Sequence, residues 1–115
     1  MGKSQRTKGA NYERAVATLF RDKMPGADVK RGLQYQHAQG ATVPDVDCPI
    51  FWVECKRGKA PVIRRALHQA ERDSTGTHKI PLAVVRDDGD TEAYATMRLD
   101  DLLEMVGELW ELRTR

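Results

Sequence analysis

Cysteine is scarce in this chain: Cys48 and Cys55 are the only two, too few for a disulfide framework. Reduced thiols in a cytoplasmic protein are the expectation. Long apolar runs are missing, and nothing approaches the roughly 18–20 residues that a membrane helix needs. The N-terminus is polar and basic with no apolar stretch behind it, so no secretion signal is expected. Internal repeats and low-complexity tracts are absent as well. What remains is an ordinary globular composition, 40% apolar and 31% charged, over 115 residues. That length suits one domain and can build one core without staples. The expected organisation is a flexible basic arm over residues 1–8 and a single domain over 9–115.

Net charge is only +2, but it is unevenly spread. Residues 1–31 hold eight Lys/Arg against three Asp/Glu, and residues 54–79 hold seven against three. Residues 87–112 hold one, Arg98, against nine. Two basic regions that meet in the fold would form a surface suited to a polyanion.

Hydrophobic spacing predicts a helix over 10–24, with Tyr12, Ala15, Val16, Leu19 and Phe20 on one face. Pro25-Gly26 ends it. Short strands are expected over 28–35 and 45–48, separated by a loop over 36–44. Residues 50–56 form the most strand-like segment. A helix over 62–73 follows, with Pro61 suited to its first turn. A buried strand is expected over 80–86, a hairpin turn at 87–90, a strand over 92–97 and a helix over 99–112. Leu99, Leu102, Leu103, Val106, Leu109 and Trp110 make an apolar stripe on that last helix. It either closes the core or forms a dimer face. The element order implies an α/β sandwich with a mixed sheet and helices on its faces.

Strand side chains alternate between faces. Phe51, Val53 and Cys55 therefore point one way and Trp52, Glu54 and Lys56 the other. The second set puts a carboxylate and an ammonium about 7 Å apart along the strand, although burying charge is costly unless it is paired or binds a metal. Hydrolysis of a phosphodiester uses such an arrangement. Mg²⁺ or Mn²⁺ takes hard oxygen ligands, which Asp45, Glu54 and the backbone carbonyl of Cys55 could supply. Lys56 could then position a water and stabilise charge on the phosphate. Asp47 competes with Asp45 for this role. The spacings of Cys48, Cys55, His37, His68 and His78 fit no common zinc pattern.

Pro44-Asp45, eight residues, then Glu54-Cys55-Lys56 resembles the signature of the PD-(D/E)xK nuclease superfamily. The resemblance implies a restriction-endonuclease-like core, αβββαβ, here with an extra strand and a C-terminal helix. Within the superfamily the chain is most similar to archaeal- and phage-type Holliday junction resolvases. Lys8-Gly9 followed by Tyr12-Glu13-Arg14 matches their N-terminal Lys-Gly and the Glu on the helix after it. Small VRR-type nucleases have a similar core and carry a Gln on the second helix. The likeness spans residues 8 to 86.

The family pattern favours Asp45 over Asp47, leaving Asp47 a supporting acid or an exposed one. By resemblance Glu13 is a third acid that binds the metal or orients its water shell. Gln69, on the helix face of Val62, Ala66 and Ala70, would place the catalytic water or Lys56. Lys3, Arg6, Lys8, Lys30, Arg31, Arg57, Lys59, Arg64 and Arg65 are the expected phosphate contacts. The acidic C-terminal segment should face away from DNA. The implied activity is metal-dependent cleavage of branched double-stranded DNA by a homodimer, in a bacterial, archaeal or phage-infected cell. Nicking, flap or repair nucleases share such a site, and a non-catalytic DNA-binding module is the reading from a different class.

Overall fold

A computed structural model describes residues 3–32, 42–59 and 62–115, with the backbone alone for 3–5. The elements are α1 (Lys3–Lys23), β1 (Lys30–Arg31), β2 (Val46–Asp47), β3 (Phe51–Gly58), α2 (Ile63–Asp73), β4 (Ile80–Asp87), β5 (Tyr94–Thr96) and α3 (Leu99–Arg113). The five strands form one mixed sheet in the order β1-β2-β3-β4-β5. β1, β2 and β3 pair antiparallel, β3 and β4 are parallel, and β5 returns antiparallel to β4. A parallel pair needs a crossover, and α2 provides it.

The α1 helix begins well ahead of residue 10, so residues 3–8 of the expected arm are helical. Gln5, Arg6 and Lys8 are good helix formers, which accounts for the extension. Pro25 and Gly26 end the helix as expected, with Gly26 in the left-handed region at φ 85°. Arg21 then clips the helix to the next segment, donating from Nε and Nη2 to the Val29 carbonyl at 3.0 and 2.7 Å. The expected strand over 28–35 is ordered as β1 at Lys30–Arg31, and its continuation and most of the following loop lie outside the described residues, as do Pro61 and His37.

The core has two layers, one on each face of the sheet. On one face Tyr12, Val16 and Ala17 of α1 pack on Val46, Val53, Cys55, Leu82 and Val84. Spacing of four and five residues selects this stripe, so Ala15 and Leu19, expected on it, lie outside and are exposed. On the other face Ala66 and Ala70 of α2 are fully buried, and Ala66 packs with Ala83 and Val85. Small residues here let the helix lie close to the strands.

The last helix does not close the core. None of the described residues of α3 is buried, and all six residues of its expected apolar stripe are exposed. The helix projects from the body, consistent with a radius of gyration of 14.8 Å against about 13 Å for a compact chain of this length.

Candidate active site

Asp45 sits immediately before β2 and is held from three sides. Its backbone N–H donates to the Val53 carbonyl at 2.9 Å, and its carbonyl accepts from the Gly32 N–H at 3.0 Å. Its carboxylate Oδ2 accepts from the Cys55 N–H at 2.9 Å. The carboxylate therefore lies along the β3 edge beside Glu54 and Cys55. A residue's N–H and C=O share one side of a strand, so the Cys55 carbonyl faces the same edge.

Glu54 is buried, at 2% exposure, on the α2 face of the sheet. Its Oε1 accepts a 3.3 Å hydrogen bond from the indole N–H of Trp52, two residues back on the same face. Burial first, and then the neighbouring Asp45 carboxylate, push the Glu54 carboxyl up to about 8. A hydrogen bond between the two carboxyl groups works in the same direction, and Asp73 of α2 adds a smaller push. Glu54 therefore keeps its proton at neutral pH. Lys56 projects from the same face of β3 into solvent and makes no ion pair among the described residues.

Glu13 lies on the opposite, α1 face. Burial and then Asp45 raise its carboxyl, while the Arg31 guanidinium opposes both from 2.7 Å. The Cys55 thiol lies in the layer under α1, and burial followed by Asp45, Glu13 and Glu54 pushes it up. Three acids thus converge around Cys55, with Asp45 the one that acts on both others. Among the described residues no group of three His, Cys, Asp or Glu side chains is arranged to hold a metal ion. The oxygens that could hold a hard cation are Asp45, Glu54 and the Cys55 carbonyl, with Glu13 held back by Arg31. Two carboxyl groups held this close are also two groups that a divalent cation would draw together.

Asp47 separates from Asp45. Its Oδ1 pairs with Lys79 Nζ at 2.6 Å, tying β2 to the start of β4. The pair is partly exposed, so Asp47→Asn should cost less than about 1 kcal/mol in urea unfolding and leave any cleavage intact. Asp45→Asn should abolish cleavage, and equal losses from both variants would overturn the assignment. Gln69 is half-buried on α2, between Ala66 and Asp73 along the helix, and makes no hydrogen bond among the described residues.

The basic residues divide. Arg6, Lys8, Arg57 and Lys59 line a cleft of about 700 Å³ with Gly9, Gly58 and Asp88. Arg6 and Gly9 also border a second cleft of about 650 Å³ with Glu13, Arg14 and Arg31. Neither is lined by Asp45, Glu54 or Lys56. Lys30 is paired with Asp28 at 3.5 Å, and Arg64 and Arg65 are exposed at the start of α2. The side chain of Lys3 lies outside the described residues. The acidic segment does not stay clear of this surface: Asp88 accepts Lys8 at 2.5 Å and approaches Arg57 at 3.6 Å. The β4–β5 turn carries it there, because β4 runs parallel to β3 and ends beside Gly58.

Sequence reasoning missed the hydrogen bond from Trp52, the contribution of Asp73 and the pairing of Glu13 with Arg31. Trp52 and Glu54 share a strand face, so period-two alternation alone could have paired them. Asp73 and the Arg31–Glu13 pair depend on tertiary contacts that no local spacing encodes. The chain matches no protein-family model, no curated protein and no solved structure.

Proposed function

We propose that this protein is a metal-dependent endonuclease that hydrolyses phosphodiester bonds in branched double-stranded DNA, with the four-way junction as its leading substrate. One observation carries the reading: Asp45 and Glu54 meet over the Cys55 backbone at the cost of a carboxyl held up near 8, two residues from an exposed Lys56 that has no ion-pair partner among the described residues. Unpaired buried acids are costly and have to be accounted for. Asp45, Glu54 and the Cys55 carbonyl would hold Mg²⁺ or Mn²⁺, with Glu13 close enough to orient its water shell. The cation would polarise the scissile phosphate and acidify a bound water.

The chain's own groups supply the rest. Trp52 fixes the Glu54 rotamer through its indole N–H. The Cys55 N–H fixes Asp45. Lys56 places its ammonium where charge builds on the phosphate. The two clefts beside α1 offer Arg6, Lys8, Arg57, Lys59, Arg14 and Arg31 to the flanking backbone. The order of elements, with three antiparallel strands, a crossover helix and a parallel strand, accords with the core that the motif implies.

The test uses end-labelled four-way junction, fork, flap, duplex and single-stranded substrates with Mg²⁺ or EDTA. Wild-type protein should place paired nicks on the junction, with none in EDTA. Lys56→Ala should lose cleavage by about 10²-fold or more while binding the junction normally. Cutting confined to flaps or linear DNA would move the substrate to the nicking or repair class. Tight binding without cutting by any substrate and metal combination would end the nuclease reading.

A further inference from the structure

The α3 helix carries most of the exposed large apolar side chains among the described residues. Leu99, Leu103, Trp110 and Leu112 are 65%, 55%, 69% and 60% exposed, and Leu102, Val106 and Leu109 are 42–50% exposed. On one helix this amounts to roughly 700 Å² of apolar surface, more than the largest patch of a typical monomer. Leu99, Leu102, Val106, Leu109 and Arg113 follow a three-four spacing, the seam of a helix pair. Five acids, Asp100, Asp101, Glu104, Glu108 and Glu111, take the other side.

We infer that α3 pairs with α3 of a second copy of this chain, antiparallel and centred on Val106. Two considerations select this occupant. Two such faces together offer about 1,400 Å² of apolar surface, the scale on which stable interfaces are built. The helix also carries Asp100 and Asp101 in its first turn and Arg113 in its last. Antiparallel pairing opposes the helix dipoles and keeps the two Arg113 side chains at opposite ends of the seam. A parallel pair would instead bring two Arg113 side chains together in the seam. The resulting twofold axis makes the interface isologous, as a closed dimer requires.

The pairing stands apart from the nuclease reading, and its test needs neither DNA nor cation. Sedimentation of the full chain should give twice the chain mass at micromolar concentration, and Leu109→Glu should give the monomer. No described residue of α3 is buried, so that variant leaves the folded body intact. Val106→Cys should form an oxidised, disulfide-linked dimer, because residue 106 meets its own copy at the axis. Leu99→Cys should not, since the two positions lie about 20 Å apart in this arrangement. The native cysteines, 1% and 7% exposed, do not interfere. A monomer at every concentration, or Leu99→Cys linking as readily as Val106→Cys, overturns the proposal.

Discussion

Glu54→Gln should make the cation-free protein more stable at pH 8 while removing the proposed cleavage activity. The carboxyl of Glu54 titrates near 4.5 when exposed and near 8 in the fold. Below about pH 4.5 it is protonated in both states and contributes nothing to the difference. As pH rises towards 8 the unfolded chain ionises it and the folded chain does not, so folding stability falls through that window. The loss is complete above the folded value and amounts to a few kcal/mol at roughly 1.4 kcal/mol per unit. Glutamine has no charge to lose. Its amide oxygen can still accept from Trp52, and its amide nitrogen can donate to Asp45.

Urea titrations in EDTA at pH 5 and pH 8 measure the effect as a difference between the two proteins. Glu13 shifts in the same direction and contributes equally to both, so it cancels. Wild-type stability should drop across the window and the variant's should drop less. Addition of Mg²⁺ at pH 8 should raise the wild-type midpoint and leave the variant unmoved, because a cation between two carboxylates binds the native state alone. A variant less stable than wild type at pH 8 would show that Glu54 is a structural acid with no strain to relieve.

Gly32→Ala should be the most damaging single methyl group in the described chain. A Cβ placed on Gly32 falls 1.9 Å from the Pro44 carbonyl oxygen and 3.1 Å from its carbon. Both are backbone atoms and cannot rotate away. Pro44 is buried and directly precedes Asp45, whose own carbonyl accepts from the Gly32 N–H. Relief of the clash has to move Pro44-Asp45 away from β1. Overpacking of this kind costs about 1–3 kcal/mol or more, and the carboxylate moves with the backbone. Thermal melting should show a lowered midpoint, and the cleavage assay should show a loss like that of Asp45→Asn. Gly107→Ala is the control, since a Cβ there meets nothing within 4 Å. Matching melts for the two variants would mean that the β1–β2 connection gives way without cost.

The parts of this molecule legible in sequence are those governed by short-range spacing. Alternation along 51–56 correctly assigned Val53 and Cys55 to one layer and Glu54 to the other. Ala66 and Ala70 were readable as the covered face of α2. The α3 stripe was equally readable, but periodicity reports only that a face is apolar and says nothing of what covers it. Asp45 and Asp47 illustrate the same limit within the site. Two residues apart on an extended segment, they look equivalent, and only Lys79, 32 residues on, and the Cys55 N–H distinguish them. The Arg31–Glu13 pair joins positions 18 apart across α1 and β1 and has no local signature.

The strands that carry the acids differ greatly in length. β3 and β4 are eight residues each and interlock over their whole length, whereas β1 and β2 are two residues each. Amide exchange should therefore be slowest along β3 and β4 and fastest across β1 and β2, where local opening breaks few hydrogen bonds. Glu54 belongs to the slow region and Asp45 to the fast one. Any ligand that bridges the two carboxylates joins the loose margin of the sheet to its rigid centre, so occupancy of the site becomes visible as slowed exchange in strands the ligand never touches.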